Sequence, residues 1–181
     1  MKNLKYYYYT IITYDLVNKF QFRKIKKIPH VDKVIVRITP KNNELKQILI
    51  ALAALELIST QKAIPVNAQK ARIILKMQKG NIAGCKITLK KNIKYNFFHR
   101  LIVEIFPKAK QFTSLKLNKS SVQHTKIMTF SLKNILSFPE LEMNYHYFAS
   151  LSDLNITIVT NTNKFREFIF LLKSLKFPFS E

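Results

Sequence analysis

The chain has 181 residues, 48% of them hydrophobic, with 31 Lys and Arg against 10 Asp and Glu, a formal net charge of +21. That length and apolar content exclude a disordered basic tail and suit a single domain, residues 1–181, with its own core. So large an excess repels itself in a compact fold unless a polyanion neutralises it, which makes nucleic acid the first expected partner and an anionic membrane surface the alternative.

The opening segment, Met1 to Tyr9, has the character of neither a signal peptide nor an Arg- and Ser-rich transit peptide. Leu4, Tyr8, Ile12, Leu16 and Phe20 recur at helical spacing, so an amphipathic helix is expected there. Tyr6 to Tyr9 cannot share one face of it, and partial packing is their expected role. Lys33 to Thr39 alternates, with Val34, Val36 and Ile38 on one side and Lys33, Ile35, Arg37 and Thr39 on the other. Glu44 to Ile58 returns to helical spacing, with Leu45, Ile48, Leu49, Leu52 and Leu55 as the predicted apolar stripe.

A second alternation runs from Arg72 to Gln78, with Arg72, Ile74, Lys76 and Gln78 opposite Ile73, Leu75 and Met77. A turn is expected from Gly80 to Gly84. Beyond it, Cys85, Ile87 and Leu89 oppose Lys86, Thr88 and Lys90. Ile93 to Phe106 has helical spacing, and Pro107 is expected to stop it. Asn155 to Thr160 reads as a strand and Lys164 to Leu175 as a last helix. Helices and strands mix without a strict βαβ alternation. The expected fold class is α+β, a mostly antiparallel sheet with helices on one face and a basic, RNA-facing surface on the other.

Charge placement supports that face. Between Glu56 and Glu140 the only acid is Glu104, whereas sixteen Lys or Arg fall from Lys62 to Lys133. An ordinary solvated sheet face mixes signs. This pattern instead fits a phosphate backbone, with Lys33, Arg37, Arg72, Lys76, Lys86, Thr88 and Lys90 on the polar sides of three strands.

Catalytic and metal readings find little support. The four histidines, His30, His99, His124 and His146, form no metal-binding pair at helical spacing. Glu140 and Glu142 could share a strand face, where solvation is the commoner role. Gly80 and Gly84 lack the Lys-Ser/Thr of a P-loop. The single cysteine, Cys85, excludes an internal disulfide and falls on an apolar strand face, as a structural thiol would. No apolar run reaches bilayer length, so no membrane insertion is expected. Neither an enzyme nor a cofactor is expected.

Taken in order, these segments resemble the large-subunit ribosomal protein five family. Ile28-Pro29-His30-Val31-Asp32-Lys33-Val34-Ile35-Val36 resembles that family's first strand, and Gln61-Lys62 its Gly-Gln-Lys-Pro. The spacing from there to Gly80 is kept without a gap, including Ala68 and Lys70. Gly84-Cys85-Lys86-Ile87-Thr88-Leu89-Lys90 is similar to Gly-x-Lys-Val-Thr-Leu-Arg and is the most specific stretch. Phe97, Arg100-Leu101, Pro107, Phe112, Phe138-Pro139-Glu140, Ile156 to Thr160 and Phe177-Pro178-Phe179 follow in register.

The resemblance implies a structural subunit of the central protuberance that binds 5S rRNA and large-subunit rRNA. On this basis Gln61, Lys62, Lys70, Lys86, Thr88 and Lys90 match the family's RNA-facing side. It also implies contact with the P-site tRNA elbow, with neighbouring large-subunit proteins, and with a small-subunit protein across an intersubunit bridge. The chain departs from the family at Arg37-Ile38-Thr39, which replaces Asn-Met-Gly, and at Gln69 and Ala71. It departs again at Gln111 to Ser114, and in 115–133, which replaces a Gly-rich loop without a single glycine. Only two glycines, with abundant Lys, Ile, Asn, Tyr and Phe, suit an organellar member. A mitochondrion is the expected location, and a plastid or the bacterial cytoplasm the alternative.

Overall fold

A computed structural model of the chain describes residues 4–22, 24–40, 44–71, 78–108, 115–116, 127–162 and 164–180. The fold is α+β, with a five-stranded antiparallel sheet in the order β2-β3-β1-β6-β5. Here β1 is Val31–Ile38, β2 Ile64–Asn67, β3 Ile82–Leu89, β5 Ile127–Leu132 and β6 Leu154–Thr160. A separate parallel pair joins β4, Leu115–Lys116, to β7, Phe179–Ser180. The chain forms two compact units, each discontinuous in sequence: Met1–Val34 with Leu89–Phe130 and Thr157–Glu181, and Ile35–Thr88 with Ser131–Ile156.

In the first unit, helix α1 runs over 4–20, with a π turn at Tyr8–Ile12 between α-helical Leu4–Tyr7 and Thr13–Phe20. The hydroxyls of Thr10 and Thr13 donate to the carbonyls of Tyr6 and Tyr9 at this widened turn (2.8 and 2.7 Å). Tyr8, Ile12 and Leu16 are buried, as the helical spacing predicts, while Tyr6, Tyr9 and Tyr14 are exposed. The Tyr8 hydroxyl donates to the carbonyl of Pro29 at 2.8 Å. Asn161 holds the same segment from the other side. Its side-chain oxygen accepts from His30 N–H (2.7 Å), its amide donates to Ile28 O (3.1 Å), and its backbone N–H donates to His30 O.

Helix α3 extends from Lys91 through a π turn at Leu101–Ile105 to Phe106–Lys108. Pro107 therefore lies in its last turn rather than stopping it one residue earlier. Having no N–H, Pro107 follows a turn where Phe106 N–H reaches back five residues to Leu101 O. Phe177, after helix α6 (Phe165–Ser174), packs edge-on against both Phe98 and Phe106.

In the second unit, helix α2, Leu45–Ser59, packs against two short helical turns, α4 (Pro139–Glu142) and α5 (Tyr145–Phe148). The predicted stripe is corrected here. Ile48, Ala51, Ala54, Leu55 and Ile58 are buried, whereas Leu45 and Leu49 are 73% and 64% exposed. Apolar residues surround this helix, so spacing alone does not select a face. Packing does: the buried side carries Ala51 and Ala54 beside Ile48, whose carbonyl meets the Cys85 thiol of β3. Glu140 and Glu142 lie in a helical turn, not on a strand face.

Candidate nucleic-acid interface

Period-two burial gives each central strand two unlike faces. In β1, Val34, Val36 and Ile38 are buried, Lys33 and Ile35 half-buried and Arg37 exposed. In β3, Cys85, Ile87 and Leu89 are buried, and Lys86 and Thr88 are half-buried. In β6, Ile156 and Ile158 are buried while Asn155, Thr157 and Val159 are partly open. The inward and outward assignments from sequence hold on β1 and β3; for Asn155 to Thr160 only a strand was expected, and the alternation expected at 72–78 lies almost wholly outside the described residues.

Within the second unit, Arg37, Lys86 and Thr88 lie on these outward positions. β2 pairs with β3 so that Ile64 lies opposite Lys86 and Val66 opposite Gly84. Ile64 is 57% exposed, so the outward surface at this edge is both cationic and apolar. Gly84 is inside the strand, not in the turn expected at 80–84. A Cβ on it would meet the Ile38 carbonyl oxygen at 2.7 Å and the Thr39 Cα at 3.3 Å. Glycine begins the motif because two backbones meet there. The turn itself is at Gly80, with φ +95°.

Gln61 is half-buried and Lys62 exposed in the link from α2 to β2. Gln61 N–H donates to the Ser59 hydroxyl, and Glu56 accepts from Ala63 N–H at 2.9 Å, which tie the link to the helix end. Lys70 is exposed just past β2, where Ala68 N–H donates to Asn81 O and Gly80 N–H to Ala68 O. Those bonds close the base of the segment containing Arg72 and Lys76. Both residues lie outside the described residues, as does nearly all of the strand expected at 72–78.

In the first unit, Lys33 is half-buried and Lys90 is exposed at the start of α3. Lys90 and Lys91 sit at the positive end of the α3 dipole with no acid in the first turn. That arrangement disfavours the isolated helix and suits an anion. Thr129 and Thr157 pair their hydroxyls at 3.1 Å across β5 and β6. Strand β5 was not among the elements expected from sequence, although Met128, Phe130 and Leu132 alternate there and are buried.

Charge divides unevenly. The first unit contains 21 basic and five acidic residues, net +16, against ten and five, net +5, in the second. Buried Lys94 donates from Nζ to the carbonyls of Val31 and Asp32 and lies 5.0 Å from the Tyr95 ring centroid. Burial holds its ammonium below the usual lysine range, partly opposed by the Asp32 carboxylate. Asp32 also meets His30 Nε2 at 2.9 Å. Cys85 is buried, its Sγ facing Ile48 O at 3.7 Å, and burial pushes the thiol up to about 11. This is a structural thiol. No cluster of three or more metal-ligating side chains occurs among the described residues, and no helix among them is long and apolar enough to cross a membrane.

Residues 82–179 match the family described as the C-terminus of ribosomal protein five of the large subunit. Over its whole length the chain is 34% identical to the large ribosomal subunit protein uL5m of Reclinomonas americana, covering all of that protein. It is 31% identical to uL5 of Mycoplasma pneumoniae, with 98% of each chain covered. The uL5 of Blochmanniella floridana is 29% identical, over 98% of this chain and 93% of that one. A strand pair that needs Gly84, a lysine- and threonine-bearing outer strand face and similarity along the full length lead to one conclusion: the chain belongs to the ribosomal protein five family, the uL5 proteins of the large ribosomal subunit.

Proposed function

We propose that the chain acts throughout its length as one RNA-binding structural constituent of the large ribosomal subunit, holding 5S rRNA or the equivalent central-protuberance rRNA. The observation that carries this reading is the separation in β3, where Ile87 is buried between the outward-facing Lys86 and Thr88. Arg37, Gln61, Lys62 and Lys70 extend the surface in the same unit, and Lys33 and Lys90 contribute to the other. On this reading phosphates neutralise the lysines and arginines, and Thr88 donates to a phosphate or ribose oxygen. Contacts with the P-site tRNA elbow, with neighbouring large-subunit proteins and with a small-subunit protein across a bridge belong to the same proposal. The chain's role there is architectural, not catalytic.

Similarity to a mitochondrial uL5m, and the low glycine content, support a mitochondrial ribosome as the location. Sequencing the RNA that co-purifies with the native protein tests the proposal. Enrichment of large-subunit ribosomal RNA is expected, and recovery of RNA in bulk cellular proportions would overturn it.

A further inference from the structure

The outer strand faces leave one concave feature of the first unit unused. A cleft of about 240 Å³ opens between α1 and α3, lined by Tyr6, Tyr7 and Ile11 on one side and His99, Ile102 and Val103 on the other. Leu175 and Lys176 close one end. This volume is below the roughly 300–1,000 Å³ usual for small-molecule sites and suits one planar ring. Its lining is open to solvent: Tyr6 is 70%, Val103 55% and Ile11 46% exposed. Aromatic and aliphatic walls of this kind favour stacking, which accepts any base.

The one formally charged side chain in the lining, Lys176, is a cation. No acid is among the lining residues, Lys176 Nζ lies 5.8 Å from the Tyr7 ring centroid, and the surrounding unit has a net charge of +16. Lys176 is also held there by backbone geometry. Its φ is +61°, the left-handed position after α6 where glycine is usual. Lys176 N–H donates to Lys173 O and Phe177 N–H to Leu172 O, the paired bonds that end such a helix. From that backbone position its cation reaches the Tyr7 ring at the cleft.

We propose that this cleft receives one unstacked base of a single-stranded RNA segment, stacked against Tyr7, with Lys176 meeting the adjoining phosphate. Cationic rim and aromatic wall together favour RNA over an apolar protein side chain, which would need only the wall. The inference rests on the RNA-binding reading above and adds a contact to a base, of any identity, beside those to the backbone.

The test uses the full chain and two fluorescent probes of equal charge, hexaadenylate and an abasic hexamer of the same backbone, followed by anisotropy. Hexaadenylate is expected to bind about tenfold more tightly than the abasic probe. Tyr7→Phe should keep that preference and Tyr7→Leu should lose most of it. Ile11→Arg, which fills the cleft and adds a cation at an already exposed site, should abolish the preference without weakening abasic binding. Lys90→Ala should weaken both probes alike and leave the ratio intact. Salt-sensitive binding of both probes without a preference would overturn the cleft assignment alone. Failure of both probes to bind at all would overturn the RNA reading and the cleft with it. If an aspartate-flanked phenylalanine peptide binds and Ile11→Arg blocks it, while hexaadenylate is indifferent to that change, the occupant is protein and the proposal fails.

Discussion

Gly84 lies so close to Ile38 that a methyl group on its Cα would sit 2.7 Å from the Ile38 carbonyl oxygen. The obstacle is backbone, so no side-chain rotation relieves it. Gly84→Ala should force the β3 and β1 backbones apart and cost about 1–3 kcal/mol of stability. Urea denaturation of the free protein measures this, and an unchanged midpoint would show that the strands give way freely.

Ile87 and its neighbours separate the core from the outer strand face. Ile87 is 2% exposed, so Ile87→Ala should open a cavity and cost roughly 2–5 kcal/mol. Lys86→Ala and Lys90→Ala should change stability little, weaken RNA binding, and each reduce the salt slope by about one. Thermal melts and RNA titrations at several salt concentrations check both parts. Early melting of the lysine variants with normal RNA affinity would reverse the faces.

Thr88→Val keeps the β-branched shape that suits a strand and removes a hydroxyl from the outer face. Its expected effect is a loss on the order of 1 kcal/mol in RNA affinity with a nearly unchanged melting temperature. Isothermal titration with the cognate RNA, beside a melt, distinguishes this from a folding defect.

The net charge of +21 predicts that RNA affinity falls steeply with salt. If about six to ten phosphates are neutralised, affinity should fall roughly a thousandfold or more between about 50 and 200 mM salt. A flat response in filter-binding titrations would contradict a phosphate-dominated interface.

Lys94 predicts a pH dependence with a definite sign. Burial lowers its pKa in the folded protein, so above that value the unfolded chain holds a proton that the folded one has released. Stability contributed by this residue should therefore rise with pH through the window between the lowered value and the ordinary lysine value. Lys94→Met removes that rise. Denaturant unfolding of both proteins at neutral and alkaline pH measures it as a difference, which cancels the opposing titration of the buried tyrosines Tyr8 and Tyr95. An equal pH response in the two proteins would be the contrary result.

The inward and outward residues of β1 and β3 could be read directly from the chain, because a strand's side chains alternate by covalent geometry. Helix α1 was equally readable, since Tyr8, Ile12 and Leu16 mark a single apolar stripe. The outward Lys86 and Thr88 of the candidate site followed from the same periodicity. Folding had to settle the rest. Helix α2 is apolar all round, and tertiary packing buried Ala51 and Ala54 while leaving Leu45 and Leu49 in solvent. Gly84 has no local signature that separates a turn from a strand; its role depends on the carbonyl of Ile38, 46 positions earlier in the chain. The same holds for β2, whose register against β3 places Ile64 beside Lys86, and for the cleft bordered by Tyr7, His99 and Lys176. Periodicity reports one element at a time. Contacts between elements depend on loop closure and on which surfaces can approach closely, and neither is written in local spacing.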